Sequence, residues 1–245
     1  MFKDFSAGIS AYRKALQLIP ALGLWGYIFV PALISMLLAV GIIWGAISVA
    51  DDLGSWLISL YPLEWGKNAV QKAANIFSGL LVIAIGLMLF KNLVIALSSP
   101  IMSPLSEKVE KALTGSPGRV STSFSGVISD LIRGIRISIR LIIKELFFTI
   151  LLLLLGVVVP FLSPFIAAAI FIVQCYYGGA GNIDFALERH FRVRESVQFV
   201  RRHRALAIGN GVAYILLLFS GIGFLVALPL GVIAATIETV KRINQ

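Results

Sequence analysis

An all-α integral membrane protein is the fold class this sequence predicts: two long spanning helices, two re-entrant helical hairpins that penetrate part-way, and amphipathic helices on the surface. Three observations predict it. Of 245 residues, 58% are hydrophobic and 13% charged, with a mean hydropathy of +0.94; a soluble globular chain is about half apolar and about a quarter charged. Residues 22–50 carry no charge, and 76–97 carry only Lys91. Two further apolar stretches are each cut near the middle, one by Pro160 and Pro164 and the other by SGIG at 220–223. No linker, low-complexity tract or charge block divides the chain, so residues 1–245 read as one membrane domain.

The elements follow in order. Residues 2–18 place Phe2, Phe5, Ile9, Tyr12 and Leu16 at helical spacing, with Lys3, Arg13 and Lys14 on other faces. That pattern predicts an amphipathic helix lying on the membrane surface. It has no apolar run before Leu18, so no cleaved signal peptide is expected. The run 22–50, at about 1.5 Å per residue, exceeds the roughly 30 Å hydrocarbon core and predicts a tilted span, with Pro31 placed for a kink near its start. A polar connection at 51–75 leads to the second span, 76–97, where Lys91 is close enough to the end to snorkel. Ser103 as N-cap, Pro104 at the first helical position and Gly115 as terminator predict a short separate helix. After the polar loop STSFSG comes a helix from about 127 to 146.

The apolar runs 146–159 and 165–177 are each about 20 Å long as helices, two-thirds of the bilayer core. Pro160 and Pro164 favour a turn between them. Val212–Phe219, SGIG and Phe224–Thr236 repeat the design. Charge counting points the same way. Segment 98–145 holds seven basic residues, 178–204 six, the N-terminus three and the C-terminus two, whereas 51–75 holds two basic and three acidic ones. With both hairpins returning to the side they enter, the four basic segments share the cytoplasmic face, and so do both termini.

In SDLIRGIRISIRLIIKEL, Arg133, Arg136, Arg140 and Lys144 stand at spacings of 3, 4 and 4 and fall within an arc of roughly 80° at about 100° per residue. Like charges four apart repel, so the row favours an anionic partner, either lipid head groups or a translocated anion. In 179–211, Asp184, Glu188 and Arg192 follow at intervals of four. This predicts a Glu188–Arg192 ion pair; a proton relay or metal site on the two carboxylates is the sharper alternative. His190 and His203 lack metal-ligand spacing and read as cytoplasmic surface residues. Gly209, Asn210 and Gly211 suit close helix packing.

Cys175 is the one cysteine, which excludes a disulfide or cysteine metal cluster within one chain. There is no Walker loop, nucleophile elbow or metal motif, so no enzyme activity and no cofactor are expected. The net charge of +9 marks membrane orientation rather than nucleic-acid binding, since the basic face backs onto an apolar one and not onto a base-stacking platform.

The pattern resembles the CysZ family of bacterial sulfate permeases and the broader etoposide-induced-protein-like membrane family. The resemblance rests on Val30-Pro31, Ser99-Pro100, Leu105-Ser106-Glu107, Glu110, Leu113-Thr114-Gly115, Gln174, Asn182, Asp184, Leu187-Glu188-Arg189 and LPLGVIAAT at 228–236, in that order over nearly the whole chain. It implies two spanning helices with two part-way hairpins, homo-oligomers in the bacterial cytoplasmic (inner) membrane, and sulfate uptake for cysteine synthesis. In those permeases the loop before the first span carries glycine, an aliphatic residue and arginine that bind sulfate. Here the positions read Gly23-Leu24-Trp25-Gly26: backbone amides remain, but the guanidinium donors are absent, a loss of about 1.5–3 kcal/mol for one charge-assisted bond. The expectation is a permease for sulfate or a related small anion, with Gly23 and Leu24 helping to bind it and the basic row attracting it. The rival classes are a membrane-organising protein that grips anionic lipids or a partner, and a membrane enzyme relying on Asp184 and Glu188. Asn182, Asp184, Glu188, Arg189 and Arg192 otherwise read as a structural or ion-pair motif.

Overall fold

The computed structural model describes residues 2–59, 67–115 and 124–244, and every regular element among them is helical. In chain order these are α1 (Phe2–Ala21), α2 (Gly26–Ser59), α3 (Lys67–Thr114), α4 (Phe124–Val158), a 3-10 turn at Pro160–Leu162, α5 (Ser163–Leu187), α6 (Val193–Arg202), α7 (Arg204–Phe219) and α8 (Phe224–Ile243). Among the described residues four segments are long and apolar enough to cross a membrane: Gly26–Gly45, Ile85–Thr114, Ser163–Leu187 and Phe224–Ile243. The molecule is an all-α membrane protein. The side chains counted in 51–75, and the loop residues 121–123, lie outside the described residues.

Exposed apolar side chains mark the lipid-facing surface. On α2 they include Phe29, Leu33, Leu37, Val40, Ile43 and Trp44. Such exposure would be a liability in water but is the ordinary exterior of a bilayer helix, where polar groups turn inward instead.

Glycines bring the helices together. A Cβ on Gly211 of α7 would stand 1.7 Å from the Cys175 carbonyl oxygen of α5, and one on Gly179 of α5 would stand 1.9 Å from that of Ala207 in α7. Gly209 lies as tightly against Phe5 of α1. Backbone meets backbone at these crossings, which gives dispersion contact without the help of water exclusion. A buried amide network locks them in place. Asn182 Nδ2 donates to Asn210 Oδ1 (2.9 Å), Asn210 Nδ2 to the Gly231 carbonyl (3.1 Å) and Tyr12 Oη to the Asn210 carbonyl (3.0 Å). Residues from α1, α5, α7 and α8 thus share one set of bonds.

Two expectations about helix ends need correction. No separate helix starts at Ser103: α3 runs unbroken through Pro100 and Pro104 to Thr114. Pro100 has no N–H for the Ala96 carbonyl, but Ser99 Oγ donates to that oxygen at 2.9 Å, so the helix continues over its missing donor. Gly115 does end it, with φ +69° and its N–H on the Lys111 carbonyl. Likewise α4 joins the basic row and the apolar run 146–158 in one helix. The hairpin turns fall at the predicted breakers, Pro160–Leu162 and Ser220–Gly223. Their arms are longer than the apolar runs, because α5 continues through its glycines to Leu187 and α8 past Glu238 to Ile243.

Candidate functional site

Along α3 a row of polar side chains is buried rather than exposed: Lys91, Asn92, Ser98, Ser99, Ser103, Ser106 and Glu107. α4, α5 and α8 cover this face and bring charges of their own, at three successive levels.

The first level centres on Lys91. Its side chain is fully buried, and its three ammonium protons go to Glu145 Oε1 (2.5 Å), Gln174 Oε1 (2.7 Å) and the Gln174 carbonyl (2.8 Å). Asn92 Nδ2 donates to the second Glu145 oxygen at 3.3 Å. The expectation that Lys91 snorkels to an interface is therefore wrong. A lone ammonium would be driven toward water, but a carboxylate and an amide meet this one inside. Neither Lys91 nor Glu145 stood out by spacing, since they are 54 residues apart. The signal available was the presence of one base inside 76–97 and one acid at the mouth of 146–159.

The middle level centres on Arg133. Its guanidinium lies 3.5 Å from Asp184 Oδ2 and 3.6 Å from Glu188 Oε2, all three side chains mostly buried. This corrects the predicted Glu188–Arg192 pair. Arg192 is exposed, and its backbone N–H is capped by Glu195 at 2.8 Å. The helix ends at Leu187 before Arg192 can come round to the same face. Burial pushes the Glu188 carboxyl up to about 7, with Asp184 adding to the rise and Ser103 and Arg133 opposing it. A small cleft beside the trio, lined by Ile95, Ser99, Gly134 and Gly181 among others, has about 10 Å³ of free volume, enough for about one water and too little for a tetrahedral oxyanion. Gly134 permits the close approach: a Cβ there would lie 2.4 Å from Ser99 Oγ.

At the outer level Glu110 accepts from Arg189 (2.6 and 3.0 Å) and contacts His190 Nε2 at 2.6 Å. Arg189 also donates to Ser106 Oγ, which bonds Thr236 of α8 at 2.8 Å. Arg242 of α8 ties Asp4 of α1 (2.8 Å) to Glu238, one turn back on its own helix (2.8 Å), and its hydrogen bond holds the Asp4 carboxyl below the usual range. From Lys91 to Glu110 is nineteen residues of helix, about 28 Å at 1.5 Å each.

The predicted anion loop is arranged differently from expectation. Gly23, at φ +60°, donates its N–H to the Pro20 carbonyl (3.3 Å), and Leu24 donates to Ile19 (2.9 Å). This is the paired closure that ends a helix at a left-handed glycine. Both amides are used on α1, and Leu24 is buried. The turn's remaining backbone donors lie at Trp25 and Gly26, where α2 begins. The basic row also divides. Arg133 turns inward to its carboxylates, Arg136 and Arg140 are exposed, and Lys144 is half-buried. Among the described residues no cluster of His, Cys, Asp and Glu could hold a metal ion.

Comparison with known proteins agrees with this architecture. No curated protein matches the chain. The family model described as sulfate transporter CysZ/Etoposide-induced protein 2.4 matches residues 11–229, a range that contains the first hairpin, the start of the second as far as Pro229, and Lys91, Arg133, Asp184, Glu188, Glu110 and Arg189 of the buried polar row. The chain belongs to that family.

Proposed function

We propose that the protein is a permease for sulfate or a related small oxyanion, acting in the bacterial cytoplasmic membrane with its termini in the cytoplasm and without catalytic chemistry of its own. The observation that carries this reading is the buried polar row along α3, whose charges are paired at three levels along the helix. A purely structural helix has no need to bury so many polar groups on the face that meets α4 and α5, and intramembrane charges mark ion routes by default. Arg133 is the cation on this row with the weakest hold on its partners, at 3.5 and 3.6 Å. An oxyanion arriving beside Ser99 would compete with Asp184 and Glu188 for the guanidinium, and the cleft is closed around it until they yield. Protonation of Glu188 near neutral pH weakens its claim on Arg133 and favours the anion.

The same reading keeps both hairpins inside the membrane. Their tips carry no charge and expose Phe161, Phe165, Phe219 and Ile222, which suits acyl chains better than an aqueous face. Assembly into homo-oligomers belongs to this proposal too, with the exposed apolar faces available for contact between copies.

The test is sulfate flux into liposomes holding the purified protein, with chloride and phosphate as competitors. Sulfate-selective flux that falls at least tenfold in Arg133→Gln, in a protein still monodisperse in detergent, supports the permease. Absence of flux for all three anions, or flux indifferent to Arg133→Gln, overturns it.

A further inference from the structure

Several of the described cations form no salt bridge. Lys91, Arg133, Arg189, Lys241 and Arg242 each meet a carboxylate. Among the described residues Arg136, Arg140 and Lys144 of α4, and Arg201 and Arg204 at the junction of α6 and α7, form no salt bridge.

The fold gathers four of these five. Leu141, flanked by Arg140 and Lys144, packs into the cluster built by Ile183 and Leu187 of α5, Val200 of α6 and Leu206 of α7. That contact carries the basic row of α4 beside Arg201, which follows Val200 directly, and Arg204, two residues before Leu206. Tyr176 of α5 packs on the same cluster, within the field of Arg201 and Arg204. Lys144 is held below the ordinary lysine range, first by burial and then by Arg201 and Arg140. Glu145, the adjacent acid, is turned away and consumed by Lys91. Cations collected from two separate segments repel one another unless an anion sits between them.

The apolar surroundings say which anion. Ile139, Ile143 and Phe147, one helical step around α4 from Arg140 and Lys144, are exposed by 52, 62 and 63%. A free oxyanion has no use for such a strip, whereas a phospholipid needs a cationic seat and an apolar groove together. We propose that Arg140, Lys144, Arg201 and Arg204 form a binding site for the phosphate of an anionic phospholipid, with one acyl chain lying along Ile139, Ile143 and Phe147. The site is independent of the transport reading and stands or falls separately from it.

Purified full-length protein offered phosphatidylglycerol or phosphatidylcholine, with retained lipid counted by native mass spectrometry, tests the assignment. The wild type is expected to prefer phosphatidylglycerol. Arg140→Gln combined with Arg201→Gln should weaken that binding roughly 25-fold, at about fivefold for each cation removed. Arg192→Gln with Arg194→Gln, exposed arginines outside the cluster, should leave it unchanged, and Arg140→Lys with Arg201→Lys should keep most of it. Undiminished phosphatidylglycerol in the glutamine pair overturns the site. Displacement of the lipid by sodium sulfate, but not by sodium chloride of equal ionic strength, overturns it too, by showing that the cluster takes a free oxyanion.

Discussion

The two hairpins share a plan and differ in what they bury. Each is a pair of antiparallel helices around a short charge-free tip, α4–α5 at Pro160–Leu162 and α7–α8 at Ser220–Gly223. The first turns ionisable groups inward, Glu145 to Lys91 and Asp184 to Arg133. The second carries no charge between Arg204 and Glu238 and offers glycines, Asn210 and Thr236 instead. One hairpin carries the buried charges, and the other holds the helices in close backbone contact. The difference teaches that equal hydropathy does not mean equal duty.

The comparison breaks hardest at Lys91. Lys91→Met leaves Glu145 buried without its counter-ion and should cost about 3–5 kcal/mol, read as a large drop in the thermal midpoint in detergent. The double change with Glu145→Leu should recover much of that loss. A single variant as stable as wild type would mean that the pair is not buried in solution.

Gly211→Ala tests the second hairpin as scaffold. Its methyl must displace the Cys175 backbone, an overpacking worth about 1–3 kcal/mol or more. Gly41→Ala, with nothing within 4 Å of the new atom, should be neutral or slightly stabilising in the same melt.

Glu188 sharpens the contrast through pH. Its carboxyl holds a proton more tightly in the fold than in the unfolded chain. The stabilisation is therefore complete below about 4.5 and is lost as pH rises through about 7. Glu188→Gln should flatten this part of the stability–pH curve, measured by thermal unfolding across the range. An unchanged slope would place the titration elsewhere.

The smallest effect belongs to Arg192. Because its predicted pairing with Glu188 does not form, Arg192→Gln should shift stability by no more than about 0.5 kcal/mol. A double-mutant cycle with Glu188→Gln should show no coupling.

The fold was largely legible from local signals. Apolar runs gave the helices, and prolines and glycines gave the turns, because both act within a few residues. Where Ser103 and Pro104 misled, the helix runs straight through them, and at Pro100 just before them the Ser99 hydroxyl replaces the missing donor, a substitution visible only in three dimensions. The site was legible by residue and not by partner. Arg133, Asp184 and Glu188 all stood out in the sequence, yet helical spacing ties Glu188 to Arg192, whereas tertiary packing carries it to Arg133, 55 residues earlier. Gly23 and Leu24 read as a loop offering amides to an anion, but they form a turn that closes α1 and spends those amides. Long-range pairing leaves no periodic trace, so no window along the chain could have found Lys91 with Glu145.

That separation also sets an order of birth. A ribosome delivers Lys91 to the membrane well before Glu145 and Gln174 have been made. Until they arrive, an unneutralised ammonium on the nascent α3 faces a penalty of about 2.5–3.5 kcal/mol at the insertion machinery. The apolar residues of α3 can carry that cost for a time, and it is relieved once the first hairpin brings Glu145 and Gln174 to the lysine.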